Sequence, residues 1–84
     1  MLDKDIDFPQ YRKLSNNKVF FKIINNYEFH EIKIIGKFAQ LYKIEAKKYP
    51  EILKIQEMLN YKVEGYFPSS IKEFSSLLDT YTLS

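Results

Sequence analysis

His30 stands between Glu28 and Glu31 in "NYEFHEI", where an imidazole and two carboxylates come together in sequence. Acid–base work needs the carboxylate on the same side as the ring, and a metal needs three or four converging ligands. In an extended segment, alternation sends Glu31 to the opposite face from His30, so one histidine and Glu28 supply too few donors. The residue reads as a solvated histidine whose pKa Glu28 raises, making it mildly pH-sensitive. Hydroxyl chemistry has no better footing. Ser69, Ser70, Ser75 and Ser76 lie in no Gly-x-Ser-x-Gly setting and read as helix caps and surface residues. Two glycines cannot make a phosphate-cradling loop, and the absence of Cys removes disulfides, Cys-based zinc sites and thiol catalysis. A substrate pocket of ~300 Å³ or more is hard to enclose in a chain of 84 residues. No catalytic residue, metal or cofactor is expected.

A second group could do binding chemistry. "YRKLSNNKVFFKII" sets basic and aromatic residues side by side around Asn16 and Asn17. Asn tolerates positive φ, so this pair suits a two-residue type I′ turn joining two strands. The resulting register pairs Leu14 with Val19 and Arg12 with Phe21 on one face, the expected core side. Lys13 pairs with Phe20 and Tyr11 with Lys22 on the other. Rings between lysines on an open sheet can stack bases while the amines hold phosphates. An ordinary strand face whose lysine stems lie across Tyr and Phe carries the same residues.

The remaining elements must position these side chains. Asn25 and Asn26 break the strand, and the acidic residues after them suit a single helical turn. Residues 32–35 are strand-like, Gly36 and Lys37 fit a type II′ turn, and "FAQLYKIEA" returns as the partner strand. Ile32 then opposes Leu41 and Ile34 opposes Ala39, while the reverse face carries Phe29, Ile35, Phe38, Tyr42 and Ile44. Both faces of this hairpin are part apolar, so each needs a cover. In "YPEILKIQEMLN", Pro50 suits a first helical position, with Ile52, Ile55 and Leu59 on one stripe, although a run this short and rich in Ile also suits a strand. "YKVEGYF" alternates and can add a strand. Ser70 and Glu73 form a capping box opening a helix whose stripe is Ile71, Phe74, Leu77, Leu78 and Tyr81. Leu2, Ile6 and Phe8 give residues 1–9 the character of a partly ordered arm that docks onto the body.

The fold these features predict is α+β: a small antiparallel sheet of four or five strands built from two hairpins. A C-terminal amphipathic helix packs on it, with a second helix near residues 50–60. Residues 1–84 read as one domain, since two would each be too small to bury a useful core. Hydrophobic residues at 45% and charged residues at 29% suit a compact chain and argue against disorder.

The formal charge is +2, with twelve Lys and one Arg. A dedicated nucleic-acid binder carries a larger basic excess and uses Arg for bidentate contacts. The aromatic, Gly-containing strand signature of the RNA-recognition motif is also missing. No apolar run reaches the ~18 residues of a membrane span, and "MLDKDIDFPQ" has no apolar signal core, so a cytoplasmic location is expected. Phe20, Ile24, Phe38, Tyr42, Ile44 and Tyr66 exceed what one small core obviously hides. The sequence therefore points to a non-enzymatic interaction module, adaptor, inhibitor or accessory protein. It would bind a protein partner or its own copies through Tyr11, Lys13, Phe20, Lys22, Phe38 and Tyr42, or through an unpaired strand such as "KVFFKII". Weak single-stranded nucleic-acid binding by the same Lys/aromatic face is the runner-up.

Overall fold

The computed structural model describes residues 7–60 and 65–83. Four strands form a continuous meander: β1 (Gln10–Leu14), β2 (Val19–Asn25), β3 (Glu28–Ile35) and β4 (Phe38–Glu45). Helix α1 (Tyr49–Leu59) follows, then β5 (Tyr66–Pro68), helix α2 (Ile71–Thr80) and the two-residue β6 (Thr82–Leu83). The sheet order is β5-β1-β2-β3-β4-β6. The first five of these strands pair antiparallel. β6 lies parallel to β4, opposite Phe38 and Ala39.

The expected registers are present. Tyr11 faces Lys22, Arg12 faces Phe21 and Lys13 faces Phe20; Ile32 faces Leu41 and Ile34 faces Ala39. Two turns differ from expectation. At the first, Leu14 C=O accepts from Asn17 N–H at 3.1 Å, so Ser15 and Asn16 occupy the centre. Asn17 alone takes a left-handed conformation, at φ 57. The Asn16 carboxamide accepts from Lys18 N–H at 2.9 Å and holds the connection. A four-residue loop, residues 15–18, with one left-handed residue thus replaces the type I′ turn, which needs two. At the second, no helical turn forms after Asn25. The Asn25 side chain accepts from Tyr27 N–H at 2.7 Å, and Tyr27 C=O accepts from Ala46 N–H. These bonds close a tight turn, so β2 and β3 are neighbours and the two hairpins fuse into one sheet. Ile24 has no register partner there, a bulge that absorbs the odd residue. Gly36, at φ 61, has the sign that a type II′ turn requires at its first central position.

Each face of the sheet has its own core. On one side Phe21, Ile23 and Phe29 pack with Ala46 and with Ile55, Met58 and Leu59 of α1. Phe8 of the N-terminal arm joins this cluster, whereas Leu2 and Ile6 lie outside the described residues. On the other side Tyr11, Phe20, Ile32 and Ala39 pack with Phe74 of α2. The face that carries the alternating lysines and rings is therefore a second core. Residues 61–64 of the proposed additional strand lie outside the described residues, but Tyr66–Pro68 does pair with β1.

Helix α2 starts where the sequence places its cap, and α1 starts one residue early. Pro50 sits in the first turn of α1, one position later than expected, and Glu51 Oε1 accepts from Lys47 and Lys48 N–H at 3.1 and 3.3 Å. Ser70 Oγ accepts from Glu73 N–H at 3.1 Å. The Glu73 carboxylate does not return to Ser70; it accepts from Ser69 Oγ and from Lys13 Nζ, which ties α2 to β1. The buried stripe of α2 is narrower than expected. Phe74 is buried, with Leu77 and Tyr81 beside it, while Ile71 and Leu78 face solvent. A ten-residue helix centred on Phe74 can bring about one residue per turn against the sheet.

Charge fixes the seat of α1. Arg12 is buried on the α1 face and donates from Nε to Met58 C=O at 2.7 Å, in the last turn of the helix, where cations suit the dipole. It also donates to Tyr11 C=O at 2.7 Å. On the far side of Phe21, the buried Glu31 carboxylate lies 3.5 Å from Lys54 Nζ of α1. Lys54 stands over the rings of Phe21 and Phe29 at 5.1 and 5.6 Å. Truncating Arg12 strips buried carbonyls of a charged donor, which costs about 2–3 kcal/mol. Arg12→Ala should lower the urea unfolding free energy by that amount, and Arg12→Lys should recover less than half, because a lysine lacks the fork. A change below about 0.5 kcal/mol in Arg12→Ala would contradict this role.

Candidate interaction surface

The two helices cover opposite ends of the sheet. α1 spans roughly 16 Å and α2 roughly 15 Å at 1.5 Å per residue, whereas the eight-residue β3 and β4 run roughly 26 Å. On its face, α1 lies over the rows containing Phe21 with Glu31 and Ile23 with Phe29. α2 lies over the rows containing Phe20 with Ile32 and Ile34 with Ala39. Each face keeps one bare end.

On the α2 face the bare end is charged: a basic row is followed by the exposed pair Glu28 and Glu45. Lys22, His30 and Lys43 form one cross-strand row over β2, β3 and β4. Glu31 points to the opposite face, as expected. The expected upward shift of the His30 pKa is reversed: partial burial lowers it, and Lys43 and Lys22 lower it further, outweighing Glu28. The cross-strand neighbours dominate because a directly opposed side chain lies closer than one two residues along a strand. Among the described residues no group of three His, Asp or Glu side chains is placed to hold a metal ion.

The six residues singled out from the sequence separate into two sets. Tyr11 and Phe20 are 8% and 3% exposed beneath α2, with the Tyr11 ring 5.7 Å from that of Phe74. Burial raises the Tyr11 pKa. Lys13 is held by Glu73 at 3.0 Å, and Lys22 belongs to the basic row. These four residues therefore form no open aromatic-basic platform, because Phe74 occupies the place that a base or a partner ring would take. "KVFFKII" is not an edge either: β2 is paired on both sides. Phe38 and Tyr42, by contrast, are 54% and 40% exposed, and Ile35, directly opposite Phe38, is 56% exposed.

Ile35 and Phe38 form the bare end of the α1 face, and Tyr42 is exposed on the same face in the outer strand. Between them, Lys33 stands opposite Gln40, with Lys33 Nζ 5.6 Å from the Tyr42 ring and the Tyr42 hydroxyl donating to Gln40. The result is an apolar pair at the hairpin tip beside a tyrosine and a lysine. Ile35 was legible as part of the apolar reverse face but had no signal separating it from core residues such as Phe29.

The outer edge of β4 adjoins this patch. β6 covers it only opposite Phe38 and Ala39, so residues 40–45 have no neighbouring strand among the described residues. A two-residue turn closed by Ile35 and Phe38 directs the backbone groups of Phe38, Gln40, Tyr42 and Ile44 towards β3. Those of Leu41, Lys43 and Glu45 therefore point outward. At the opposite edge, β5 is three residues long and ends in Pro68, which has no N–H to offer.

No protein-family model, curated protein or solved structure matches this chain. Among the described residues no helix is long and apolar enough to cross a membrane.

The lowered His30 pKa fixes the sign of a pH effect. Between the folded value and the ordinary imidazole value, the unfolded chain binds the proton more readily, so stability rises with pH across that window. It falls as the pH drops below the ordinary imidazole range. Urea midpoints measured at mildly acidic and mildly alkaline pH should diverge more for the wild-type protein than for His30→Gln. Parallel pH profiles would show that the lysine row exerts no such effect.

Proposed function

We propose that the protein is a small interaction module that acts by occupying the surface of a protein partner rather than by catalysis. The observation that carries this reading is the cross-strand pair of Ile35 and Phe38, each more than half exposed, with the exposed Tyr42 on the same face. A short domain without disulfides gains stability by covering such side chains. Leaving them bare therefore points to a role outside the fold. The mixture of an apolar centre with Tyr42, Lys33 and Gln40 around it matches the make-up of protein–protein contacts. The nucleic-acid reading loses its main support, since the rings it needs for stacking, Tyr11 and Phe20, lie under α2.

Phe38→Glu is the direct test. Phe38 is exposed, so the variant should unfold at the same urea concentration as the wild-type protein. Affinity capture from the native cells, quantified by mass spectrometry, should retain proteins on the wild-type chain that the variant loses by about 30-fold. That factor corresponds to an interface residue worth about 2 kcal/mol. Identical sets captured by the two chains would overturn the proposal.

A further inference from the structure

The open edge of β4 has a sequence that complements itself. We infer that two copies of this chain pair antiparallel along β4, with Lys43 of each copy opposite Glu45 of the other. The inference rests on reading β4 as part of an interaction surface, but it does not require the Phe38 patch.

Three observations select this partner and this register. First, an edge offering the N–H and C=O of Leu41, Lys43 and Glu45 accepts another extended strand, and the commonest symmetric assembly of a single chain is a two-fold dimer. Second, β6 occupies the edge opposite Phe38 and Ala39, which pushes any added strand towards the Glu45 end. Third, the two-fold axis must pass through one residue of β4, and the charges choose among the positions. An axis at Lys43 opposes Lys43 to its own copy, which repels. An axis at Tyr42 opposes Lys43 to Leu41 and brings residue 45 towards the segment under β6.

An axis at Ile44 gives two Lys43-to-Glu45 pairs and sets Ile44 against its own copy on the α1 face. Lys43 and Glu45 are both exposed, and both carry outward-pointing backbone groups. Each pair therefore exchanges N–H and C=O bonds as well as charge. The ion pair that Glu45 makes among the described residues, to Lys47 at 3.2 Å, joins two highly exposed side chains and is weak competition. The dimer so formed is a continuous sheet with both α1 helices on the same side.

Charge reversal tests this register, because the two positions are reciprocal. Sedimentation velocity of the wild-type chain up to about 1 mM should show a monomer–dimer equilibrium. Lys43→Glu and Glu45→Lys should each weaken it by about tenfold or more, since each places two like-charged pairs across the axis. The double variant should regain the dimer. An equimolar mixture of the two single variants should do so too, as a heterodimer with both pairs restored. Circular dichroism of the dilute chains should be unchanged in every variant, both side chains being exposed.

A wild-type chain that stays monomeric throughout, or a dimer indifferent to both reversals, would overturn the inference. Phe38→Glu separates this result from the previous proposal. A dimer that persists in Phe38→Glu while partner capture fails leaves the edge pairing standing alone. Capture that depends on Phe38 in a strictly monomeric chain leaves only the patch.

Discussion

The structure depends on one constraint: the four-stranded meander is apolar on both faces, so neither face can be left to water. Phe21, Ile23 and Phe29 project to one side, and Tyr11, Phe20 and Ile32 to the other. A sheet of this kind needs a helix on each side, and the chain supplies two of ten and eleven residues. Neither is long enough to cover its face. Their offset placement over opposite ends divides the uncovered area into one apolar and one charged end. The exposed Phe38 patch and the row of Lys22, His30 and Lys43 are thus two consequences of the same shortage of helix.

Charge sets where each helix sits, and apolar burial supplies most of the attraction. Arg12 grips the last turn of α1 through Met58 C=O, while Lys54 reaches back to Glu31 across Phe21 and Phe29. On the other face, Glu73 receives Ser69 and Lys13, and these hydrogen bonds hold its carboxyl below the usual range. Its pairing therefore supports the fold above the ordinary carboxylate pKa and is lost as the pH falls through the lower folded value. A buried guanidinium and a buried carboxylate on one face tolerate few alternative positions for α1, because any shift leaves a charged group without its partner.

The sequence carried β1, β2 and β4, the second half of β3, three of the cross-strand pairs around Phe20 and Phe21, the Gly36 turn and the Ser70 cap of α2 in local patterns that need no tertiary information. It was also clear that both faces of the β3–β4 hairpin needed a cover. Which rings stayed exposed was not legible. Phe20 and Phe38 sit in similar alternating strands, and only the three-dimensional position of Phe74 seals one and spares the other. The turn at Asn25 was missed because "NYEFHE" satisfies a helix start as well as an Asx-closed hairpin. The direction of the His30 shift was missed because the partial burial that lowers it most is set by the fold, and Lys43 and Lys22 are remote in sequence and adjacent only through the register. Met58, buried in α1, was overlooked because the Ile-rich stripe already accounted for that helix.

The uncovered apolar end is also where the proposed partner binding would take place, next to the edge that two copies can share. Hydroxyl-radical footprinting of the dilute protein, read by mass spectrometry, tests the unequal cover directly. Phe38, Tyr42 and Ile35 should oxidise rapidly, while Phe20, Phe21 and Tyr11 stay protected until the chain unfolds. Protection of Phe38 equal to that of Phe21 in the isolated chain would contradict the account, for the fold would then leave no apolar end bare.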